Sequence, residues 1–268
     1  MQIHTLDLKF HVDEAIAAFV LESTDGPILI ETGPHSTWDT LVTGLDGMGY
    51  KPSDFRHVLL SHIHFDHAGA AWAMARAGAT VYVHPRGHKH LLDPSRLYGS
   101  AKRIYGDMME QLWGEMHPIP EGQLIAVEDD TVLELGEHKI KALHTPGHAS
   151  HHIAWAVEDV IFTGDVGGVK IGGGPVVAPC PPPDIDLEAW YVSINRLRAE
   201  SPNRLFLTHF GMVEEVEPHL QALEKVLESW GRWMKPHFDA QRSVPEITPE
   251  FQAFVKAELE VAGLDKAG

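Results

Sequence analysis

The run His62-Ile63-His64-Phe65-Asp66-His67 places four metal-capable side chains within six residues. No regular backbone can aim all four at one point. In a helix they fan around more than a turn; in a strand His62, His64 and Asp66 face one way and His67 the other. The run makes sense where the backbone turns sharply and lets alternate ligands reach two metal ions. It therefore predicts a loop that serves a binuclear centre.

The flanking pattern fits such a loop. Phe55–Ser61 reads as a buried strand through Val58, Leu59 and Leu60 that delivers the chain into the run. Ala70–Arg76 reads as a helix closed by Gly78, and Thr80–His84 as the next strand. This order suggests an α/β unit with ligands at the carboxyl end of a strand, where active-site loops commonly lie. Upstream, the apolar runs Phe19–Glu22 and Pro27–Thr32 are joined by Ser23-Thr24-Asp25-Gly26, a hairpin signal. A helix is expected over Trp38–Met48. Ser95–Met116 reads as a core-packing helix with Ile104, Met108, Leu112 and Trp113 on its apolar face, a lid or a dimer surface being the competing reading.

Strands are expected at Val127–Leu133, Lys139–Leu143, Ile153–Val157, Asp159–Thr163 and Arg204–Thr208. Gly167–Asp184, rich in Gly and Pro, is expected to be a long loop. Helices are expected at Leu187–Ala199, Glu214–Trp233 and Pro249–Val261. Residues 1–235 are expected to form one domain, with 236–268 a helical appendage of that domain.

Composition narrows the partners. The chain has 268 residues, 21 basic against 38 acidic, for a formal charge of −17. Such a chain repels a polyanion on average, and no Lys/Arg-rich run offers an exception, so nucleic acid is not an expected partner. No stretch approaches the roughly eighteen apolar residues of a membrane span. The start MQIHTLDLKFHVDE has neither the basic nor the apolar part of a secretory signal. Cys180, the sole cysteine, rules out an internal disulfide and fits a reducing cytoplasm, the expected location. Cys180 is expected to pack as a small apolar residue rather than act as a nucleophile.

Three further segments share one design, an apolar strand that ends in a metal-capable residue beside glycine. Lys139–Leu143 runs into His144-Thr145-Pro146-Gly147-His148, Val160–Thr163 into Gly164-Asp165, and Leu205–Thr208 into His209-Phe210-Gly211. Glycine at such places lets the backbone approach a crowded site without a Cβ clash. Any one segment could arise by chance; all of them with the hexapeptide form a joint signal.

HIHFDH, HTPGH, FTGD and LTHFG, in this order, resemble the metal-binding motifs of the metallo-β-lactamase superfamily, over Gly26 to Gly211. The resemblance implies an α/β fold, an αββα sandwich with metals in a groove at one edge, here followed by C-terminal helices. Carried over residue by residue, it implies that His62, His64 and His148 bind one metal. Asp66, His67 and His209 bind the other, and Asp165 bridges them. Imidazole and carboxylate ligands suit two divalent ions, zinc first, with iron, manganese or a mixed site as alternatives.

The implied chemistry is hydrolysis by a hydroxide shared between the ions, whose formation coordination brings from a pKa of about 16 to about 7. Asp66 would orient that hydroxide and shuttle its proton. His144 is expected to support the site without ligating, and His151 and His152 to be polar ends of the next strand. Glu31 is expected to support a ligand histidine from behind. The superfamily usually has Asp at the Glu31 position. Glyoxalase II-like and lactonase-like members are the nearest in motif, although lactonases carry tyrosine where this chain has Gly168.

The expected activity is cleavage of an ester, thioester or lactone of a small metabolite. Three readings compete with it: a phosphodiesterase on a nucleotide or RNA end, a mononuclear-iron persulfide dioxygenase, and a metal-binding scaffold without activity. A small-molecule substrate is the expected partner, a homodimer stays open, and the loop 175–186 is expected to border the substrate groove.

Overall fold

The computed structural model describes residues 1–181 and 184–263. Its strands form two six-stranded sheets. The first contains β1 (Ile3–Asp7), β2 (Ala17–Leu21), β3 (Ile28–Ile30), β4 (His57–Leu59), β5 (Thr80–Val83) and β6 (Leu124–Ala126), paired in chain order. The second contains β7 (Val132–Leu135), β8 (His138–His144), β9 (Ile153–Val157), β10 (Val160–Phe162), β11 (Arg204–Leu207) and β12 (Gly211–Val213), also paired in chain order.

The helices are α1 (Trp38–Gly47), α2 (Phe65–Ala68), α3 (Ala71–Arg76), α4 (Pro85–Leu92), α5 (Ser95–Tyr105), α6 (Met109–Trp113), α7 (Leu187–Ala199), α8 (Val216–Asp239) and α9 (Val244–Val261).

Alternation along the strands builds four layers. In β2, Ala17, Phe19 and Leu21 face one way and pack with Trp155, Val157, Phe162 and Phe206 of the second sheet. Ala18 and Val20 face the other way, into a cluster with Leu41 and Leu45 of α1 and Met74 of α3. On the far side of the second sheet, Ala154, Ile161 and Leu205 pack with Trp190 and Ile194 of α7 and Leu220 and Leu223 of α8. The central strands β2, β3, β9 and β10 are thus buried on both faces and read as continuous apolar runs, whereas β7 and β8, toward the edge of the second sheet, alternate. The expected αββα sandwich is the observed fold.

Several expected elements are displaced. Val127–Leu133 is not one strand: β6 ends at Ala126 in the first sheet, and β7 begins at Val132 in the second. The intervening residues carry the chain across the sandwich, and Asp130 N–H donates to Ala142 O at 2.9 Å. Ser95–Met116 is not one helix either. Gly106 stops α5 at a φ of 55° and resets the register, so Ile104 and Met108 lie 70% and 46% exposed. Ala101 and Met109 face inward instead, against Phe65.

The strand β12 precedes α8, which starts at Val216 and continues to Asp239, so the domain boundary expected at residue 235 falls inside a helix. The last helix starts at Val244, five positions before Pro249, because Ser243 and Glu246 form a capping box there. Trp230 and Trp233 of α8 hold it through Phe251 and Phe254. Cys180 is exposed rather than packed. No described helix is long and apolar enough to cross a membrane.

Candidate metal centre

The hexapeptide is positioned from both sheets. After β4, the Ser61 carbonyl accepts the Ile153 N–H of β9 at 2.7 Å, and Leu60 O accepts the Trp155 indole N–H at 3.1 Å. The chain then turns at His64, whose extended φ/ψ of −62°/154° precedes α2, and its carbonyl accepts the His67 and Ala68 N–H groups. The sharp turn expected from the spacing is this strand-to-helix corner. His148 lies on the loop after β8, Asp165 on the short turn after β10, and His209 between β11 and β12.

All seven expected ligands meet. Ligand atoms of His62, His64 and His148 lie within 4.8 Å of one another, as do those of Asp66, His67 and His209, and those of His62, His67 and Asp165. His64 Nδ1 is 2.9 Å from His62 Nε2 and 3.1 Å from His148 Nε2. Two imidazole nitrogens on one tetrahedral zinc, each about 2.05 Å from it, are about 3.3 Å apart, close to these spacings. Asp165 faces both sets: Oδ2 is 3.2 Å from His148 Nε2, while Oδ1 is 3.1 Å from His67 Nε2 and 3.4 Å from His209 Nε2. Asp66 Oδ2 is 3.4 Å from His209 Nε2 and 3.7 Å from His67 Nε2.

The residues fit a metal ion on a further observation. His67 Nε2 and Asp165 Oδ1 are buried and make no hydrogen bond, although they lie 3.1 Å apart. They aim past one another toward shared space rather than along an N–H···O line. Buried polar atoms without a partner are costly in a native core, and a cation between them removes that cost.

The opposite ring nitrogens of His62, His148 and His209 have hydrogen-bond partners, which orients those imidazoles. His148 Nδ1–H donates to Pro179 O at 2.9 Å, and His209 Nδ1–H to Ala15 O at 2.7 Å. His62 Nδ1 is 2.9 Å from Ser61 Oγ. His67 Nδ1 is 3.2 Å from Glu31 Oε2, while Glu31 Oε1 accepts the Ser61 N–H at 2.9 Å. Glu31 therefore stands where the sequence placed it, behind a ligand histidine.

His152 does more than end a strand. Its Nε2 accepts the Asp165 N–H at 3.2 Å and its Nδ1 is 2.9 Å from Thr145 Oγ1, so it sets the backbone that carries the bridging carboxylate. The sequence held no signal for this, since the histidine sits beside a ligand motif rather than in it. His151 also departs from the expected strand end, its ring lying 19° from parallel to that of His62 with centroids 6.0 Å apart. His144 stays outside the three ligand groups; its Nε2–H donates to Ser150 O at 3.1 Å and its ring stacks on His84.

The glycines expected to ease crowding differ: Gly211 has open space, Gly147 meets the Trp190 backbone, and Gly164 meets neighbouring side chains. A Cβ at Gly164, where φ is +50°, would lie 2.6 Å from His152 Nε2 and Ser61 Oγ. At Gly168, φ is +79° and a Cβ would lie 2.9 Å from Leu223 Cδ1, so a side chain there would be strained.

Electrostatics divide the site in two. Burial, reinforced by the neighbouring histidines, keeps His62 well below the ordinary imidazole range and His64 at about 4; burial also lowers His148 despite Asp165. These three are neutral near pH 7, the state in which imidazole binds a metal. Burial would likewise lower His67 and His209, but Asp165 and Asp66 outweigh it and hold both above the ordinary range. Burial would raise the two carboxyls, and the adjacent histidines overcome it and keep both ionised. Metal uptake must therefore release protons from the second set.

Known proteins resemble this chain in sequence and fold. The family model described as "Metallo-beta-lactamase superfamily" matches residues 12–209. The metallo-β-lactamase fold-containing protein ST1585 of Sulfurisphaera tokodaii is 30% identical over 173 residues, 62% of this chain and 66% of that one. Its crystal structure superposes with a TM-score of 0.67 over 82% of this chain and 84% of that one, at 26% identity. An N-acyl homoserine lactonase of Bacillus cereus is 35% identical over 163 residues, 52% of this chain and 57% of that one. A hydroxyacylglutathione hydrolase of Maricaulis maris is 29% identical over 152 residues, 56% of this chain and 46% of that one. The matches thus span two thirds or less of these relatives' own lengths. With the two-sheet sandwich and the ligand groups at its edge, the chain belongs to the metallo-β-lactamase superfamily.

Proposed function

We propose that this chain is a metal-dependent hydrolase that cleaves an ester, thioester or lactone of a small metabolite with two divalent ions, zinc being the first expectation. The observation that carries this reading is Asp165, whose two oxygens face two separate ligand sets. A mononuclear oxygenase needs no such bridge and no second set at Asp66, His67 and His209. The relatives' names, lactonase and hydroxyacylglutathione hydrolase, both describe hydrolysis of an acyl group and support the same class.

Bound divalent ions would polarise the scissile carbonyl and lower the pKa of coordinated water toward neutrality. His62, His64 and His148 would hold one ion; Asp66, His67 and His209 the other, with Asp165 shared. Asp66 is the least buried carboxylate of the group and stands ionised at the groove. It orients the attacking water and accepts its proton. Glu31 and His152 keep His67 and Asp165 aimed while the substrate changes geometry.

The test pairs metal analysis with p-nitrophenyl esters, S-lactoylglutathione, acyl-homoserine lactones and bis-p-nitrophenyl phosphate. Two metals per chain with acyl hydrolysis are expected. Asp165→Ala should lose one or both metals and at least about a hundredfold in kcat/KM. Full activity in that variant would overturn the binuclear reading, and one iron per chain without hydrolysis would replace it with the dioxygenase.

A further inference from the structure

Beside the metal centre lies a second concavity of about 490 Å³, with His64 and His151 on its inner wall and Arg86, Lys89 and Arg96 among its lining residues. Its volume suits a small metabolite. Arg86 and Lys89 stand three residues apart on one face of α4, and Arg96 enters from the first turn of α5. The stretch 84–106 carries five Lys/Arg residues and one acid, Asp93, in a chain whose formal charge is −17. Spaced along two helices, these cations form no basic run in the sequence; the fold gathers three of them.

Arg196, Arg198, Arg204, Arg232 and Arg242 each meet a carboxylate within 4.0 Å. Among the described residues, Arg86, Lys89 and Arg96 meet none. Other cations, Arg56, Arg76 and Arg103 among them, also lack a carboxylate partner among the described residues; what sets Arg86, Lys89 and Arg96 apart is that they line one concavity. Arg86 spends one N–H on Ser150 O at 3.3 Å and keeps the rest of its donor fork free. The single carboxylate on the wall, Asp184, is engaged by the Ser150 hydroxyl at 3.2 Å and leaves the concavity net positive. Unpaired guanidinium and ammonium groups next to a reaction centre are the chemistry that recognises a carboxylate or phosphate.

We infer that the substrate carries an anionic group, a carboxylate or a phosphate, which Arg86, Lys89 and Arg96 bind while the scissile acyl bond lies over the metal centre. This names a substrate class and rests on the hydrolase reading above. These three cations are exposed and hydrated, and the neutral acyl tail of a simple ester would gain nothing from them. An anionic one gains charge-assisted hydrogen bonds in both ground and transition states, so the preference should appear chiefly in KM.

The test uses the metal-loaded protein and two esters of equal length, mono-4-nitrophenyl adipate and 4-nitrophenyl hexanoate. The wild type should favour the adipate by roughly tenfold in kcat/KM, and the preference should shrink as ionic strength rises. The double variant Lys89→Glu/Arg96→Glu should abolish or invert it, whereas Arg232→Ala, a distant charge change, should preserve it. Titration with adipate and with inorganic phosphate supplies a readout independent of turnover. Binding lost in the double variant at unchanged metal content supports the site, and the tighter anion identifies the group. Binding that survives the reversal places the anion on the metals and overturns it.

Cleavage of both esters without preference, and without lost binding, overturns the anion site and leaves the hydrolase. If neither ester nor any substrate of the wider panel is cleaved while anion binding is lost on reversal, the hydrolase reading falls and the anion site stands.

Discussion

His67 shows how a ligand is aimed by the residue behind it. Glu31 Oε2 lies 3.2 Å from Nδ1 and its other oxygen accepts the Ser61 N–H, which places a carboxylate charge behind the ring. Glu31→Gln removes the charge that holds the Nδ1 proton. It should weaken metal binding by about 10- to 100-fold while the fold persists, read by competition with a chromophoric chelator; unchanged affinity would sink that role. His144→Ala should keep two metals, because its ring meets His84 and Ser150 O rather than the ligand groups. Loss of one ion there would overturn that assignment. At this scale the sequence was legible: the seven ligands and Glu31 stand in local motifs whose residue types and order carry their meaning. His152 was not, since its partners Thr145 and the Asp165 N–H come from separate loops.

Elements report where local pattern ceases to decide. The strand β9 and helix α7 fell at their expected bounds, because each has a full apolar face and clear ends. The segment 95–116 has helical periodicity throughout, yet Gly106 breaks it, and the inward face passes from Ala101 to Met109. The turn after β10 depends on another glycine. Gly164→Ala should cost about 1–3 kcal/mol through its positive φ and the contact with His152 and Ser61. Urea unfolding would show this as a lower midpoint with the slope unchanged, and an unmoved midpoint would show that the turn tolerates a Cβ.

Across the whole molecule, buried histidines couple stability to pH. Burial holds His57 and His219 below their ordinary value of 6.5, and burial with His144 and Arg86 beside it holds His84 at about 4. Unfolding frees all three to protonate near 6.5, so the unfolded chain binds more protons below that pH. Their contribution is therefore full above 6.5 and falls as the pH drops, until the folded groups also protonate, near 4 for His84. Each contributes a slope of at most about 1.4 kcal/mol per pH unit. His67 and His209, held above 6.5 by their carboxylates, oppose this trend. His84→Gln should therefore flatten the fall in urea midpoint of metal-free protein between pH 7 and 4.5, and an unchanged slope would contradict the burial of that ring.

Metal removal acts in the same direction. An ion present at 100 times its Kd contributes about 2.7 kcal/mol, so chelation should lower Tm by several degrees; an identical Tm with and without chelator would mean that the folded site holds no ion.

The sequence by itself marked the candidate metal-capable residues, because their side-chain types stand in short local motifs, and the resemblance those motifs carry supplied their grouping. The sandwich followed from the same resemblance. Only the tertiary structure decided what surrounds the hexapeptide. The crossing from β6 to β7, His152 behind Asp165, and the meeting of Arg86, Lys89 and Arg96 beside His64 all join residues far apart in the chain or on separate elements. Such contacts are set by how helices dock on sheets, and no local spacing encodes that.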